Sequence, residues 1–209
     1  CIRDRIMTGI LIIVGLVIVA SYLIGSIPTG YLIVKGMTGQ DIRTIGSGST
    51  GATNVKRVLG KKWFFIVMLL DAFKGALPVI LAKLYAGDVS GVGLFPVLAS
   101  IAVIIGHSKP IFLQFKGGKS VASGVGTILA LNWQVGLIIA LVWSVVTYFS
   151  KYVSLGSIVA LVLSPFIMKY VGHAPVAYVG YCALGAIYIV YLHRQNIVRL
   201  IKGEENKVR

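Results

Sequence analysis

Between Ile45 and Trp63 the chain reads IGSGSTGATNVKRVLGKKW, a run of glycine, serine and threonine that turns abruptly basic. Gly46, Gly48 and Gly51 permit close backbone approach and positive φ, and Ser47, Ser49, Thr50 and Thr53 set hydroxyl donors among them. Arg57 adds a planar guanidinium suited to phosphate or carboxylate. Such a loop offers several donors to one anion, and it reads equally well as a flexible connection. It is not a Walker A sequence, which needs glycine, four residues, glycine, lysine and a hydroxyl in that order. A second stretch, GHSKPIFLQFKGGKSVASGVG from Gly106 to Gly126, places His107, Lys109, Lys116 and Lys119 around the Gly117 and Gly118 pair. It enters an apolar helix whose first turn carries Ser120 and Ser123 and whose N-terminal amides favour an anion. The third feature is Asp71 with Lys74, three apart and so on one helix face, inside the apolar run FFIVMLLDAFKGALPVILA. Charges at membrane depth are costly and face a bundle interior or cavity. The pair is therefore either the floor of a site or a structural ion pair.

The elements that must position these groups are membrane helices. The 209 residues are 57% hydrophobic and 12% charged, with a mean hydropathy of +0.90, outside the range of ordinary soluble domains. The expected fold class is an all-α integral membrane protein, a polytopic bundle of about seven transmembrane helices forming a single domain over residues 1–209. The helices run about Met7 to Lys35, bent at Pro28, then Trp63 to Tyr85, Val92 to Ile105, Ser120 to Leu131, Trp133 to Ser150, Leu155 to Tyr170 and Pro175 to Leu192. Residues 1–6 precede Met7 and are given no functional role, and the first apolar run is read as a retained helix, not a signal peptide.

Basic residues set the orientation. Lys35, Arg43, Lys56, Arg57, Lys61 and Lys62 follow the first span, Lys109, Lys116 and Lys119 the third, Lys151 the fifth, and Arg194, Arg199, Lys202, Lys207 and Arg209 the last. An odd span count puts all of these on one side, so the N-terminus is expected outside and the C-terminus in the cytoplasm. The opposite connections carry Lys83, Asp88 and Lys169. The formal charge of +14 is scattered between apolar spans and forms no single basic face, which disfavours nucleic acid and leaves anionic lipid or phosphorylated metabolites. Cys1 and Cys182 suggest neither a disulfide framework nor a metal knuckle.

The segments GSIPTGYLIVK, DIRTIGSGSTGATNVKRVLGKK, DAFKGALPV, GHSKPIFLQFKGGKSVASGVG and HRQNIVRLIKGEENK resemble, in order, the signature stretches of the bacterial acyl-phosphate:glycerol-3-phosphate acyltransferases, the PlsY family. The resemblance covers almost the whole chain. The family usually reads GSGN in the first motif, where this chain has Ser49 at the asparagine position. The resemblance implies transfer of an acyl group from acyl phosphate to the 1-hydroxyl of glycerol 3-phosphate at the bacterial cytoplasmic membrane. It carries catalytic or binding roles to Ser47, Gly48, Thr53, Asn54 and Arg57, to Lys116, Gly117, Gly118 and Lys119, to Ser154, and to His193 and Asn196. Lys116 and Arg57 suit charge on the tetrahedral centre and leaving phosphate. Either His193 or a substrate phosphate oxygen accepts the hydroxyl proton. Asp71, Lys74 and His107 are expected among the substrate-binding groups, with Asp71 orienting Lys74 or another basic group and His107 as a loop ligand or helix-end contact. His173 is expected to be incidental.

Negative features exclude neighbouring chemistries. None of His107, His173 and His193 has an acidic residue four positions on, the spacing used by the other large glycerolipid acyltransferase class. The acids Asp4, Asp41, Asp71, Asp88, Glu204 and Glu205 are dispersed, so neither a metal nor another cofactor is expected. A membrane transporter of phosphate or a phosphorylated metabolite is the alternative from another class. It lacks the internal repeat and paired broken helices such proteins show.

Overall fold

The computed structural model describes residues 2–86 and 93–207, and the side chains of residues 2–7 and of residue 10 are not among those described. Asp88 and Val92, the expected start of the third span, lie outside the described residues, as do Cys1 and Arg209. All regular structure among the described residues is helical. The order is α1 (Ile2–Ser26), α2 (Thr29–Thr38), α3 (Ala52–Leu59), α4 (Lys61–Ala86), α5 (Leu94–Ser108), α6 (Val121–Leu131), α7 (Trp133–Ser150), α8 (Val153–Tyr170), α9 (Val176–Leu192) and α10 (Arg194–Ile201). Single 3₁₀ turns occupy Ile42–Thr44 and Ile111–Leu113.

Each of the expected apolar segments contains a helix, but they are not equal. Leu11–Thr38, Lys61–Tyr85, Leu94–Leu113, Trp133–Ser150 and Val153–Tyr170 are long and apolar enough to cross a membrane. Val176–Leu192 qualifies together with Arg194–Ile201, bent by 62°. The 11 residues of α6 reach only about 16 Å at roughly 1.5 Å per residue, half of a hydrocarbon layer about 30 Å thick. The shortness has a cause. A Cβ on Gly75, midway along α4, would lie 2.3 Å from the Ser123 carbonyl oxygen, and one on Gly126 would lie 2.0 Å from that of Ala72. The two helices therefore touch backbone to backbone, and α6 begins beside the middle of α4. The end of the loop before α6 is sunk into the bundle, where Gly118 and Ser120 are buried and the glycine pair sits against His107.

Between lipid-facing helices the hydrophobic effect supplies little attraction, so close approach through small residues does the work. Gly25 of α1 and Gly106 of α5 form a second such crossing, with Cβ positions 2.4 Å from the Val103 carbonyl oxygen and 2.3 Å from that of Tyr22. Outward faces carry Leu84, Phe149 and Ile187, each more than two-thirds exposed, as lipid contact demands. At the other extreme, Val34, Ile42, Val55 and Val67 are fully buried together. They fasten α2, the first 3₁₀ turn and α3 onto the start of α4. This cluster lies among the polar loops, where burying such a side chain from water stabilises by about 1.5–3 kcal/mol.

One end of the bundle gathers the loops. Arg43 Nη1 donates to the Leu113 carbonyl at 3.4 Å and Tyr22 Oη to that of Lys109 at 2.9 Å, joining the first and second basic stretches. Ser154 Oγ donates to Glu205 Oε1 at 2.9 Å, bringing in the start of α8 and the C-terminal tail. The other end is closed by Lys83, which donates to the carbonyls of Ala130 and Leu131, and by Asn132, bonded to the carbonyl of Gly172.

If the α4–α6 contact sets the depth of the loop, Gly126→Val inserts a branched side chain against backbone that cannot yield. The expected loss is about 1–3 kcal/mol or more, read as a lowered thermal transition in detergent. Gly180→Ala and Gly185→Ala, where an added Cβ meets nothing within 4 Å, should leave that transition in place.

Candidate active site

The first loop is built around Asn54, which is 1% exposed. Its Nδ2 donates to the carbonyls of Ile42 at 3.2 Å, Ile45 at 2.9 Å and Ser49 at 3.0 Å, and its Oδ1 accepts from the Ser47 amide at 3.1 Å. A chain curled round one side chain in this way needs the left-handed region, and Gly46 and Gly48 supply it with φ of 60° and 67°. The loop then leaves Ser47, Gly48 and Arg57 exposed. Asn54 itself shapes the loop: its amide is spent on backbone, apart from a 3.4 Å contact from Arg57 Nη1. Thr53 is half-buried in the first turn of α3. Before the loop, the guanidinium of Arg43 grips Asp41, with Nη2 to Oδ2 at 2.6 Å. That hydrogen bond holds the Asp41 carboxyl below the usual range.

The second loop rests on His107. Its carbonyl accepts the Gly118 amide at 3.1 Å. A Cβ on Gly118 would stand 2.2 Å from the ring Nε2, and one on Gly117 2.2 Å from the His107 carbonyl oxygen. The ring is anchored from beneath. Nδ1 is 3.1 Å from Ser123 Oγ and 3.7 Å from Asp71 Oδ1. Asp71 pairs with Lys74 at 2.9 Å and accepts a bond from Thr29 Oγ1, while Lys74 Nζ donates to the Ile27 carbonyl at 2.7 Å. That carbonyl lies in the break between α1 and α2, next to Pro28, where regular helical partners are missing. The charges of Asp71 and Lys74 are thus spent on protein, and neither is presented to a ligand. His107 likewise serves as a seat for the glycine pair. The hydroxyls of Ser120 and Ser123 at the start of α6 are also engaged internally, Ser120 Oγ with the Ile104 carbonyl and Ser123 Oγ with His107.

The third set comes from the C-terminal segment. Lys119 Nζ bonds Asn196 Oδ1, Asn196 Nδ2 donates to Glu205 Oε1 at 2.6 Å, and Arg199 Nε donates to Glu205 Oε2 at 2.7 Å. Burial pushes the Lys119 ammonium down to about 8; Glu205 opposes this, and Arg199 and Arg57 reinforce it. Burial would raise the Glu205 carboxyl, but bonds from Asn196, Arg199 and Ser154 outweigh it and leave the group below its ordinary value. His193, 3% exposed at the α9–α10 junction, has Nδ1 2.8 Å from the Ile189 carbonyl. A carbonyl only accepts, so Nδ1 carries the proton there and the neutral ring keeps Nε2 as an acceptor.

The fold therefore brings Arg57, Lys119, Ser154 and Asn196 into one electrostatic neighbourhood. Lys116 is exposed, and its side chain makes no hydrogen bond or ion pair among the described residues. His173 is exposed beside Gly172, at the far end. Sequence reasoning passed over Glu205, Arg199, Arg43 and Thr29. In the sequence Arg43 and Arg199 read only as charges that set orientation and Glu205 as a dispersed acid, because their partners lie outside any local pattern.

The model of the glycerol-3-phosphate acyltransferase family matches residues 15–203. The glycerol-3-phosphate acyltransferase of Prochlorococcus marinus (strain MIT 9301) is 47% identical over 194 residues, covering 92% of this chain and 96% of that one. That of Gloeobacter violaceus is 46% identical, covering 90% and 92%. Among solved structures, the glycerol 3-phosphate form of PlsY (YgiH), an integral membrane glycerol 3-phosphate acyltransferase, superposes with a TM-score of 0.87 at 36% identity, covering 94% of this chain and 96% of that one. Its lysophosphatidic acid form gives 0.85 at 34% identity, covering 94% and 95%.

Because the His107 ring fills the space beside Gly118, Gly118→Ala must lift the glycine pair off its seat. Affinity for inorganic phosphate, measured by equilibrium dialysis in detergent, should fall about tenfold or more, roughly 1.4 kcal/mol. Gly185→Ala should leave it unchanged.

Proposed function

The chain belongs to the glycerol-3-phosphate acyltransferase family, and we propose that its donor is an acyl phosphate and that the sunk Gly117–Gly118 loop with its surrounding cations is where transfer occurs. The protein acylates the 1-hydroxyl of glycerol 3-phosphate to give 1-acyl-glycerol 3-phosphate, the lysophosphatidic acid that begins phospholipid synthesis. One observation carries the placement. Lys116 and Lys119 flank the glycine pair, which sits on His107 beside the α4–α6 contact, and Lys119 bonds Asn196 and feels the charge of Arg57. A donor with a phosphate on a hydrocarbon chain needs cations at that depth, with its tail lying among the lipid-facing helices.

The donor is already activated, so little covalent chemistry falls to the protein. The glycerol hydroxyl adds to the acyl carbonyl, the tetrahedral centre collapses, and the bond to phosphate breaks. Negative charge grows on the carbonyl oxygen and then on the leaving phosphate, and preorganised cations lower that barrier. Lys116, exposed and uncommitted, and Arg57, with its fork, fit this role. Lys119, the second Nδ2 proton of Asn196, the Ser47 hydroxyl and the Gly117 amide hold phosphate. Gly118, whose amide is given to His107, and Ser154, whose hydroxyl is given to Glu205, shape the site. The hydroxyl proton goes to Nε2 of His193 or directly to an oxygen of the departing phosphate. With its Nδ1 proton fixed on Ile189, His193 is in the tautomer that can accept. Asp71, Lys74 and His107 act from below by fixing the loop, and Asn54 fixes the first loop. The site faces the cytoplasm of a bacterial inner membrane, because the basic connections sit at the same end as the loops.

Purified protein in detergent should release phosphate from acyl phosphate only when glycerol 3-phosphate is present, and exhaustive chelation should not slow it. Lys116→Ala and Arg57→Lys should each lower kcat/KM by about ten- to more than a hundred-fold, the equivalent of a lost charge-assisted bond of about 1.5–3 kcal/mol. Lys169→Ala, at the far end, should be nearly silent. Normal kinetics in both site variants would move the chemistry elsewhere.

Orientation has its own check. In a background without other cysteines, Gln114→Cys should resist a membrane-impermeant maleimide in intact cells and react after permeabilisation. Lys169→Cys should react from outside. The reverse pattern would invert the topology.

A further inference from the structure

Glu205 stands outside every role assigned so far, yet its carboxylate bridges two helices. Oε1 accepts from Ser154 Oγ of α8 at 2.9 Å and from Asn196 Nδ2 of α10 at 2.6 Å, and Oε2 accepts from Arg199 Nε at 2.7 Å. Its side chain is 6% exposed. A carboxylate offers acceptors only, whereas an amide has a donor end and an acceptor end. Glu205 takes the donor end of Asn196, so the amide oxygen points the other way, where it receives Lys119 Nζ. With the amide reversed, its NH₂ would meet an ammonium and its oxygen a carboxylate, replacing two attractive contacts with two repulsive ones.

We propose that Glu205 is a positioning residue for acyl transfer: it fixes the Asn196 amide and, through it, holds Lys119 in place as a cation of the phosphate site. The inference rests on the reading of Lys119 and Asn196 as substrate contacts. The charged groups acting on Lys119 are Arg57 from α3, Arg199 from α10 and Glu205 from the tail, and His193 at the α9–α10 junction feels its charge in turn. Among these, Glu205 alone is negative. Removing its charge must make Lys119 easier to deprotonate, and removing Arg199 must do the opposite.

The experiment is the pH profile of kcat/KM for glycerol 3-phosphate, with acyl phosphate as donor, over about pH 6 to 10, a range that brackets the Lys119 titration. The wild-type rate should decline above about 8 as Lys119 loses its proton. Glu205→Gln should move that decline to lower pH by about half a unit or more, and Glu205→Asp, which keeps the charge, should return it. Arg199→Met should move it to higher pH.

An architectural role alone would lower folded yield and kcat and leave the decline where it was, which would overturn the proposal. A lowered KM in Glu205→Gln would also overturn it, since the carboxylate would then be an occupant that substrate phosphate displaces. Should Glu205→Gln fail to stay monodisperse in detergent, Arg199→Met decides, because Arg199 is 32% exposed and its removal leaves the Ser154 and Asn196 bonds to Glu205 in place. An unmoved or lowered decline in that variant rejects the inference. Wild-type protein that releases no phosphate in response to glycerol 3-phosphate would instead defeat the functional reading, and this inference with it.

Discussion

A carboxylate and an ammonium buried at membrane depth must satisfy each other, and the Asp71–Lys74 pair does so while using its remaining bonds to hold three other pieces of the chain. Lys74 takes the Ile27 carbonyl at the Pro28 break, which also accepts the Thr29 amide, Asp71 takes the Thr29 hydroxyl at the start of α2, and His107 stands 3.7 Å away with the glycine loop on top of it. Desolvating two charges is expensive, and an uncompensated partner would cost about 3–5 kcal/mol. The pair adds little net stability for that outlay. What it secures is a single arrangement, because every alternative placement of the break or the loop leaves one charge unmatched.

Depth is the second element of the design. Backbone contact between α4 and α6 is possible only because Gly75 and Gly126 lack side chains, and it starts α6 halfway down its neighbour. For the proposed reaction, a loop at the membrane surface would meet soluble phosphate easily but would force a lipid-linked phosphate to leave the bilayer. A lower position would bring both within reach, at the expense of dehydrating its cations. Lys119 registers that expense in its depressed pKa. The surrounding charges, positive from Arg57 and Arg199 and negative from Glu205, then set how much of its proton it keeps.

Much of this was legible in the residues. Seven apolar segments, the basic connections and the two glycine loops are local signals, carried by runs of adjacent residues, and helices formed where the runs predicted. The break at Pro28 was visible because proline lacks an amide proton whatever surrounds it. The i, i+3 spacing of Asp71 and Lys74 correctly announced a shared helix face. The short span of α6 was also visible, but its reason was not.

Pattern could name the polar residues without telling which of them are spent. Asn54, Ser120, Ser123, His107 and Lys74 all carry groups that could meet an anion, and each is engaged by protein. Lys116 and Arg57, of the same chemical kind, are left exposed. The distinction rests on partners distant in sequence, Asp71 with His107, Lys119 with Asn196, Ser154 with Glu205. The sequence by itself determined the membrane class, the helices and the chemistry available. Tertiary structure alone decided which groups remained free to use it, because hydrogen-bond valences are finite and are claimed by whichever group the packing brings nearest.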